Sequence, residues 1–172
     1  ISIDDVSVNE AAGTITFTVT LDQPTTATVS VNYATTNGSA TSPADYAAGS
    51  GTLSFAPGVT TQTVTLNISD DAVFEGNETF SVLLSGAVNA TIADGNGLAT
   101  ITDNDVPTIA VSSPTVGEGG FAVFTVSLSN ASTTDVTFNP TLASGSATVG
   151  TDTATALEYF NGAAWVALPV GG

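Results

Sequence analysis

Lysine, arginine and histidine are all missing from this chain of 172 residues, which carries sixteen aspartates and glutamates and a formal charge of −16. A folded protein ordinarily offsets its acids with its own cations. No side chain here can do so, and neutralising charge has to come from solvent or from bound metal. A surface of this sign repels phosphate, which argues against nucleic acids and anionic membranes as partners. Cysteine is missing too. That removes disulfides and thiolate metal sites and fits either redox compartment. With no methionine, the chain reads as a fragment or a processed product. No basic segment precedes an apolar stretch, so no signal peptide is expected. No apolar run nears the roughly 20 residues that span a bilayer, and direct membrane insertion is not expected.

What remains is enough to build a core. Only 9% of residues are charged, 42% are hydrophobic and the mean hydropathy is +0.33, unlike the composition of a disordered acidic chain. The charge therefore belongs to local sites. Thr14–Leu21 (TITFTVTL) alternates Ile15, Phe17, Val19 and Leu21 with threonines. Thr28–Tyr33, Thr61–Ile68 and Thr79–Ser85 alternate in the same way. Period two with β-branched and aromatic residues predicts half-buried antiparallel strands. Turn sequences separate them at Asp22-Gln23-Pro24, Asn37-Gly38, Pro57-Gly58 and Asp94-Gly95-Asn96-Gly97. No segment carries a 3.6-residue period. The pattern predicts an all-β chain folded as a β-sandwich.

The chain repeats itself. Ile1-Ser2-Ile3 returns as Ile109-Ala110-Val111, Glu10 as Glu118, and TITFTVTL as FAVFTVSL at Phe121–Leu128. Gly38-Ser39-Ala40-Thr41 returns unchanged at Gly145–Thr148, and an aspartate follows by the same step in both copies, Asp45 and Asp152. The expected organisation is a first module over residues 1–105 and a second over 106–172, the second stopping before the equivalents of the last strands. Between them Asp103-Asn104-Asp105-Val106-Pro107 has no glycine or serine, and its proline stiffens it. It reads as a joint that holds an angle.

The acids of the first module gather in four places: Glu10, Asp45, the run Asp70-Asp71-Ala72-Val73-Phe74-Glu75, and Asp103-Asn104-Asp105. Each falls at a strand end or turn, and in an antiparallel sandwich such loops can meet at one pole. Two carboxylates ~4 Å apart repel by roughly 4 kcal/mol at an effective dielectric near 20. A hard divalent cation removes that cost and takes about 6–8 oxygen ligands. Without thiolate or imidazole, zinc and copper are poor candidates. Calcium suits the donors, whereas magnesium demands tighter octahedral geometry. No EF-hand loop is present, because Asp103-Asn104-Asp105 lacks the glycine and the distal glutamate. Asp22, Asp94 and Asp135 need no more explanation than the polarity of turns. Five Asn-x-Ser/Thr sequons, beginning at Asn37, Asn67, Asn77, Asn89 and Asn130, are accounted for by chance in so Asn- and Thr-rich a chain. A paired-carboxylate hydrolase at Asp70 and Asp71 is disfavoured: adjacent strand residues point to opposite faces, and no histidine, cysteine or lysine assists. No enzyme is expected.

These motifs bring a family into view. The opening Val6-Ser-Val-Asn-Glu10, the GSAT segment with Asp45-Tyr46, Gly51-Thr-Leu-Ser-Phe55, the stretch Ile68–Phe80 (ISDDAVFEGNETF) and Thr100-Ile-Thr-Asp-Asn-Asp105 closely resemble a Calx-β domain. That is the calcium-binding sandwich of sodium–calcium exchangers and of many large bacterial surface proteins. The resemblance covers residues 1–105. It implies an immunoglobulin-like sandwich and calcium ligands at Glu10, Asp45, Asp70, Asp71, Glu75, Asp103 and Asp105. Asn104 stands where some members have a third aspartate. Residues 109–152 are similar to the family more weakly, with Glu118 and Asp152 at the first two ligand positions and the later acidic segments absent. Tyr159–Trp165 departs from the pattern and reads as a hairpin around Asn161-Gly162. Its aromatics are expected to pack across the hairpin or to form a ligand-binding ledge.

Together these readings describe a tandem fragment of a large, secreted, RTX-type bacterial adhesin at the cell surface. Its expected role is that of a calcium-stiffened extender contributing to cell adhesion or biofilm formation, with calcium ions and neighbouring modules as partners. Two alternatives come from other classes. One is a sugar- or peptide-binding module housed in the second domain, and the other is a calcium sensor.

Overall fold

The alternation of threonine with aliphatic residues becomes strand wherever it occurs in the first half of the chain. A computed structural model describes residues 1–144, 146–147, 158–160 and 165–167. It divides into two compact units, Ile1–Asp135 and Val136–Gly172. In the first unit the strands are β1 (Ser2–Ile3), β2 (Val6–Asn9), β3 (Thr14–Thr20), β4 (Val29–Asn37), β5 (Ser50–Phe55), β6 (Thr61–Asn67), β7 (Val73–Phe74), β8 (Glu78–Val88), β9 (Asn96–Thr102), β10 (Ile109–Val111), β11 (Val126–Leu128) and β12 (Ala131–Ser132). The second unit contributes β13 (Glu158–Phe160) and β14 (Trp165–Ala167). Among the described residues no helix is long and apolar enough to cross a membrane.

Two sheets form the sandwich. One has the order β1-β3-β6 and the other β2-β9-β8-β4-β5. The chain changes sheet after β1, β2, β3, β5 and β6, and the crossings after β3 and β5 are the Greek-key connections of an immunoglobulin-like sandwich. Apolar residues at every second position face inward: Ile15, Phe17 and Val19 from β3, Val64 and Leu66 from β6, Val29 and Val31 from β4, Phe80, Val82 and Leu84 from β8. Phe17 of one sheet meets Phe80 of the other edge to face, with centroids 6.3 Å apart. The threonines between them face out, and Thr16 and Thr65 share a 2.9 Å hydroxyl–hydroxyl hydrogen bond across the β3–β6 pair. Sequence and fold therefore agree through the two-residue period.

The observed strands overrun two of the expected ones. The Thr28–Tyr33 segment continues to Asn37, and Thr79–Ser85 widens to Glu78–Val88. Both lie inside the five-stranded sheet, where β8 is hydrogen-bonded to β9 on one side and β4 on the other. The β8–β9 register runs from Glu78 to Leu83, and beyond it Gly86, at φ 60°, and Ala87 fall in a bulge of the β4–β8 pairing, between Ser85 opposite Asn32 and Val88 opposite Ser30.

The second repeat keeps the pairing of the first without its burial. Val111 pairs with Val126 in β10–β11 as Ile3 pairs with Val19 in β1–β3. Ile3 and Val19 are 4% and 0% exposed, whereas Val111 and Val126 are 56% and 40% exposed. Immediately afterwards β12 runs parallel to β7, with Ala131 opposite Val73 and Ser132 opposite Phe74. The Thr133 N–H donates to the Phe74 carbonyl at 3.0 Å, and the Asn130 side chain donates to the Asp105 carbonyl. In the second unit β13 and β14 are antiparallel, with Phe160 opposite Trp165. The pairing is that of the expected hairpin. Its Asn161-Gly162 turn lies outside the described residues, as do the side chains of the expected aromatic ledge.

Candidate metal centre

Strand register decides where the acids go. β2 and β9 pair in parallel, Asn9 opposite Thr102, so the next residues, Glu10 and Asp103, emerge side by side although they are far apart in sequence. On the other flank of β9, Glu78 at the start of β8 lies opposite Ile101. A bridge between Tyr46 and Ile68, with the Ser69 N–H donating to the Asp45 carbonyl at 2.9 Å, brings the β4–β5 connection to the end of β6. The four acidic segments therefore share one pole of the sandwich.

Local turns fix each side chain. Glu10 opens a 3-10 turn spanning Glu10–Ala12. The Asn9 side chain caps it by accepting the Ala11 N–H at 3.0 Å. Gly13 closes it at φ 72°, a left-handed conformation that costs a side-chain-bearing residue about 1–2 kcal/mol. Asp45 is held at one carboxylate oxygen by the Thr41 N–H at 2.6 Å. One Asp71 oxygen accepts the Val73 N–H at 2.7 Å and shapes the turn into β7. Asp103 is the hub. One of its oxygens accepts the N–H groups of Glu75 and Gly76, and the other accepts that of Asp105 at 2.7 Å.

Two triads result. Carboxylate oxygens of Glu10, Asp70 and Asp105 lie within 4.8 Å of one another, and so do those of Asp45, Glu75 and Glu78. A small pocket of about 10 Å³ is lined by Glu10, Asp45, Ser69, Asp71, Glu75 and Glu78 among others, and so touches both triads. Of the residues expected from the sequence, Glu10, Asp70 and Asp105 thus meet in one group and Asp45 and Glu75 in the other. Asp71 borders the pocket, and Asp103 ties the loops together. Glu118 is exposed and joins no such group among the described residues. Asp152 lies outside the described residues. Glu78 was not anticipated. Its signal is that it is the next acid after Glu75 in Glu75-Gly-Asn-Glu78, but it opens a strand, whereas the expected ligands lie in loops and turns.

The proton affinities follow from crowding. Glu10 is pushed up to about 7, first by burial, then by a hydrogen bond with the Asp105 carboxyl and by the charges of Asp103 and Asp105, against the pull of the Asn104 N–H. Glu78 is also pushed up to about 7, by burial, by the charges of Asp45 and Glu75, by a hydrogen bond with Asp45 and by the charge of Asp103. Glu75 is raised by burial and by Asp45, Asp71 and Asp103. Burial acts on Asp103 in the same sense, yet the N–H groups of Asp105, Glu75 and Gly76 hold it below the usual carboxylate range. Asp103 therefore ionises more readily than Glu10, Glu75 and Glu78. An oxygen-only donor set at high negative potential fits a hard divalent cation, and nothing in the chain competes, because no side chain is cationic.

A family model described as "Calx-beta domain" matches residues 1–105 and again 102–170. No curated protein matches the chain. Among solved structures, the apo form of the Calx CBD1 domain is 27% identical with a TM-score of 0.57, covering 60% of this chain and 97% of its own. The calcium binding domain CBD12 of CALX1.1 is 27% identical with a TM-score of 0.59, covering 66% of this chain and 50% of its own. The CBD12 structure from CALX1.2 is 28% identical with a TM-score of 0.57, covering 61% and 46%. This chain thus spans about half the length of the CBD12 structures. The Calx CBD2 domain, at 18% identity and a TM-score of 0.53, shares the fold.

Proposed function

The chain belongs to the Calx-beta domain family, and on that premise we propose that its first unit binds calcium at the two triads and uses the ions to stiffen an extender module. The observation that carries this reading is the pair of oxygen-only triads at one pole of a chain without a single cationic side chain. Glu10, Asp70 and Asp105 hold one ion, and Asp45, Glu75 and Glu78 another. Asp71 supplies a further oxygen, and Asp103 orients the loops. A similar solved protein is named as a calcium binding domain, which supports the choice of metal.

Stiffening follows from what the metal loops also touch. β7 lies inside the acidic run and carries β12 beside it. The Asp105 carbonyl receives the Asn130 side chain. Fixing Asp70–Glu75 and Asp103–Asp105 on calcium therefore fixes the seat of residues 130–133 and the joint up to Pro107. An extender of a secreted bacterial surface adhesin, serving adhesion or biofilm formation, fits this device. Outside the cell calcium is plentiful, and sites of roughly 10⁻⁴–10⁻³ M suffice. The cation-free, threonine-rich composition also suits a crowded surface. Binding to the folded state alone stabilises it by about 2.7 kcal/mol at a hundredfold excess over Kd. Melting in calcium and in EDTA tests the reading. The expected result is a clear fall in Tm with the chelator, and an unchanged Tm would overturn it.

Similarity to Calx calcium binding domains favours a second reading, a calcium sensor. Calorimetry separates the two. Dissociation constants near millimolar support the extender, and sub-micromolar ones support the sensor.

A further inference from the structure

The Gly38-Ser39-Ala40-Thr41 segment carries no acid, yet it connects the two elements that build the second triad. At one end it grips β8 one residue past Glu78. The Thr79 N–H donates to the Ser39 hydroxyl at 2.8 Å, and the Ala40 N–H donates back to the Thr79 carbonyl at 2.9 Å. The approach is so close that a Cβ on Gly38 would lie 2.4 Å from the Thr79 carbonyl oxygen. Ala40 is fully buried. At the other end the segment grips Asp45. The Thr41 N–H reaches the Asp45 carboxylate at 2.6 Å and the Thr41 hydroxyl reaches it at 3.3 Å. The Asp45 N–H returns to the Thr41 carbonyl at 2.9 Å. A continuous run of hydrogen bonds thus links Asp45 to the strand that begins with Glu78. None of these bonds reaches Glu10, Asp70 or Asp105.

We propose that this segment is the positioning element of the Asp45–Glu75–Glu78 triad, with Ser39 and Gly38 setting the distance between Asp45 and Glu78 and so the calcium affinity of that triad alone. The proposal rests on the calcium-binding reading above. Like carboxylates repel, and without ion or cation they would drift apart. The Ser39–Thr79 clasp keeps Asp45 at the start of β8 before the metal arrives, so binding does not have to order the loop.

The test is calcium calorimetry on the full chain, comparing wild type with Ser39→Ala, Ser39→Thr and Gly38→Ala. Asp45→Asn and Glu10→Gln assign the two binding steps to their triads. Groups that orient metal ligands typically change affinity by about 10–100-fold. Ser39→Ala and Gly38→Ala are expected to weaken the Asp45 step by about tenfold or more and to leave the Glu10 step within about twofold. Ser39→Thr, which keeps the hydroxyl, restores the Asp45 step. Melting in EDTA supplies the second measurement. If Ser39→Ala lowers the chelated Tm but leaves both calcium steps as in wild type, or weakens both alike, the segment is ordinary scaffolding and the proposal is overturned. If wild type itself binds no calcium, the reading beneath it falls first and the proposal falls with it.

Discussion

Glu10 and Glu78 are the residues through which pH reaches this fold. Both carboxyls rise in the folded chain from an ordinary value near 4.5 to about 7, through burial first and neighbouring carboxylates second. Between those values the folded chain holds protons that the unfolded chain has released. Stability of the metal-free chain therefore falls as pH rises from about 4.5 through 7. Asp103 works in the opposite sense, since its lowered pKa contributes stability above its ordinary value of 3.8 that is lost as pH falls through the folded value. The two effects occupy separate windows. In EDTA the Tm is expected to rise as pH is lowered from about 8 to 5 and to fall again on stronger acidification. Calcium inverts the upper window, because the ion displaces those protons. In calcium, Tm at pH 8 should equal or exceed that at pH 5, and titration near pH 6.5 should release protons. Glu78→Gln removes one of the two carboxyls raised to about 7. It should flatten the metal-free profile and weaken calcium at the second triad roughly 10-fold. A Tm in EDTA that climbed steadily from pH 5 to 8 would contradict the burial and crowding of Glu10 and Glu78.

Elements were legible where chemistry is periodic. β3 and β6 could be read residue by residue because Ile15, Phe17, Val64 and Leu66 alternate with threonines, and burial in a sandwich obeys the same period. The acidic segments were legible as chemistry but not as geometry. Nothing in the sequence near Glu10 announces that β2 will lie parallel to β9, which sets Glu10 beside Asp103–Asp105, or that the Ile68 N–H will donate to the Gly13 carbonyl, which brings the end of β6 and Asp70 to the same place. Glu78 was missed for a related reason. It opens a strand, and it reaches the metal pole only because β8 starts where β9 ends. The clasp at Ser39 was visible as a repeated sequence and silent as to purpose. Core and pole nevertheless share one element. Phe80 of β8 packs edge to face on Phe17 and stacks on Tyr46 at 3.9 Å, and Tyr46 follows Asp45 directly. Phe17→Ala empties the far side of this stack, and a truncation of that kind costs about 3–5 kcal/mol. Urea unfolding should show that loss in EDTA and in calcium alike, since Phe17 lies in the apolar core and belongs to neither triad. A loss confined to calcium would instead tie the ring to the metal.

At the scale of the whole molecule the charge of −16 acts in two ways that can be separated. All acids repel one another through solvent, and any salt screens that repulsion with a Debye length of about 10 Å at 0.1 M. Carboxylate oxygens inside the two triads stand within 4.8 Å of each other, well below that length. Monovalent ions screen them poorly, and only a cation seated among them removes the cost. Sodium chloride should therefore raise the Tm of the chelated chain gradually over tenths of molar. Calcium should raise it further at concentrations about a hundredfold lower, and the gain should saturate. Magnesium at the same concentration should fall between the two, because it sheds water reluctantly and asks for a tighter octahedron. If sodium chloride at equal ionic strength reproduced the whole calcium effect, the acids would form a diffuse negative surface and the triads would hold no ion. Saturation at low calcium, on top of the salt effect, is the behaviour of a chain whose missing counterions are supplied at defined places.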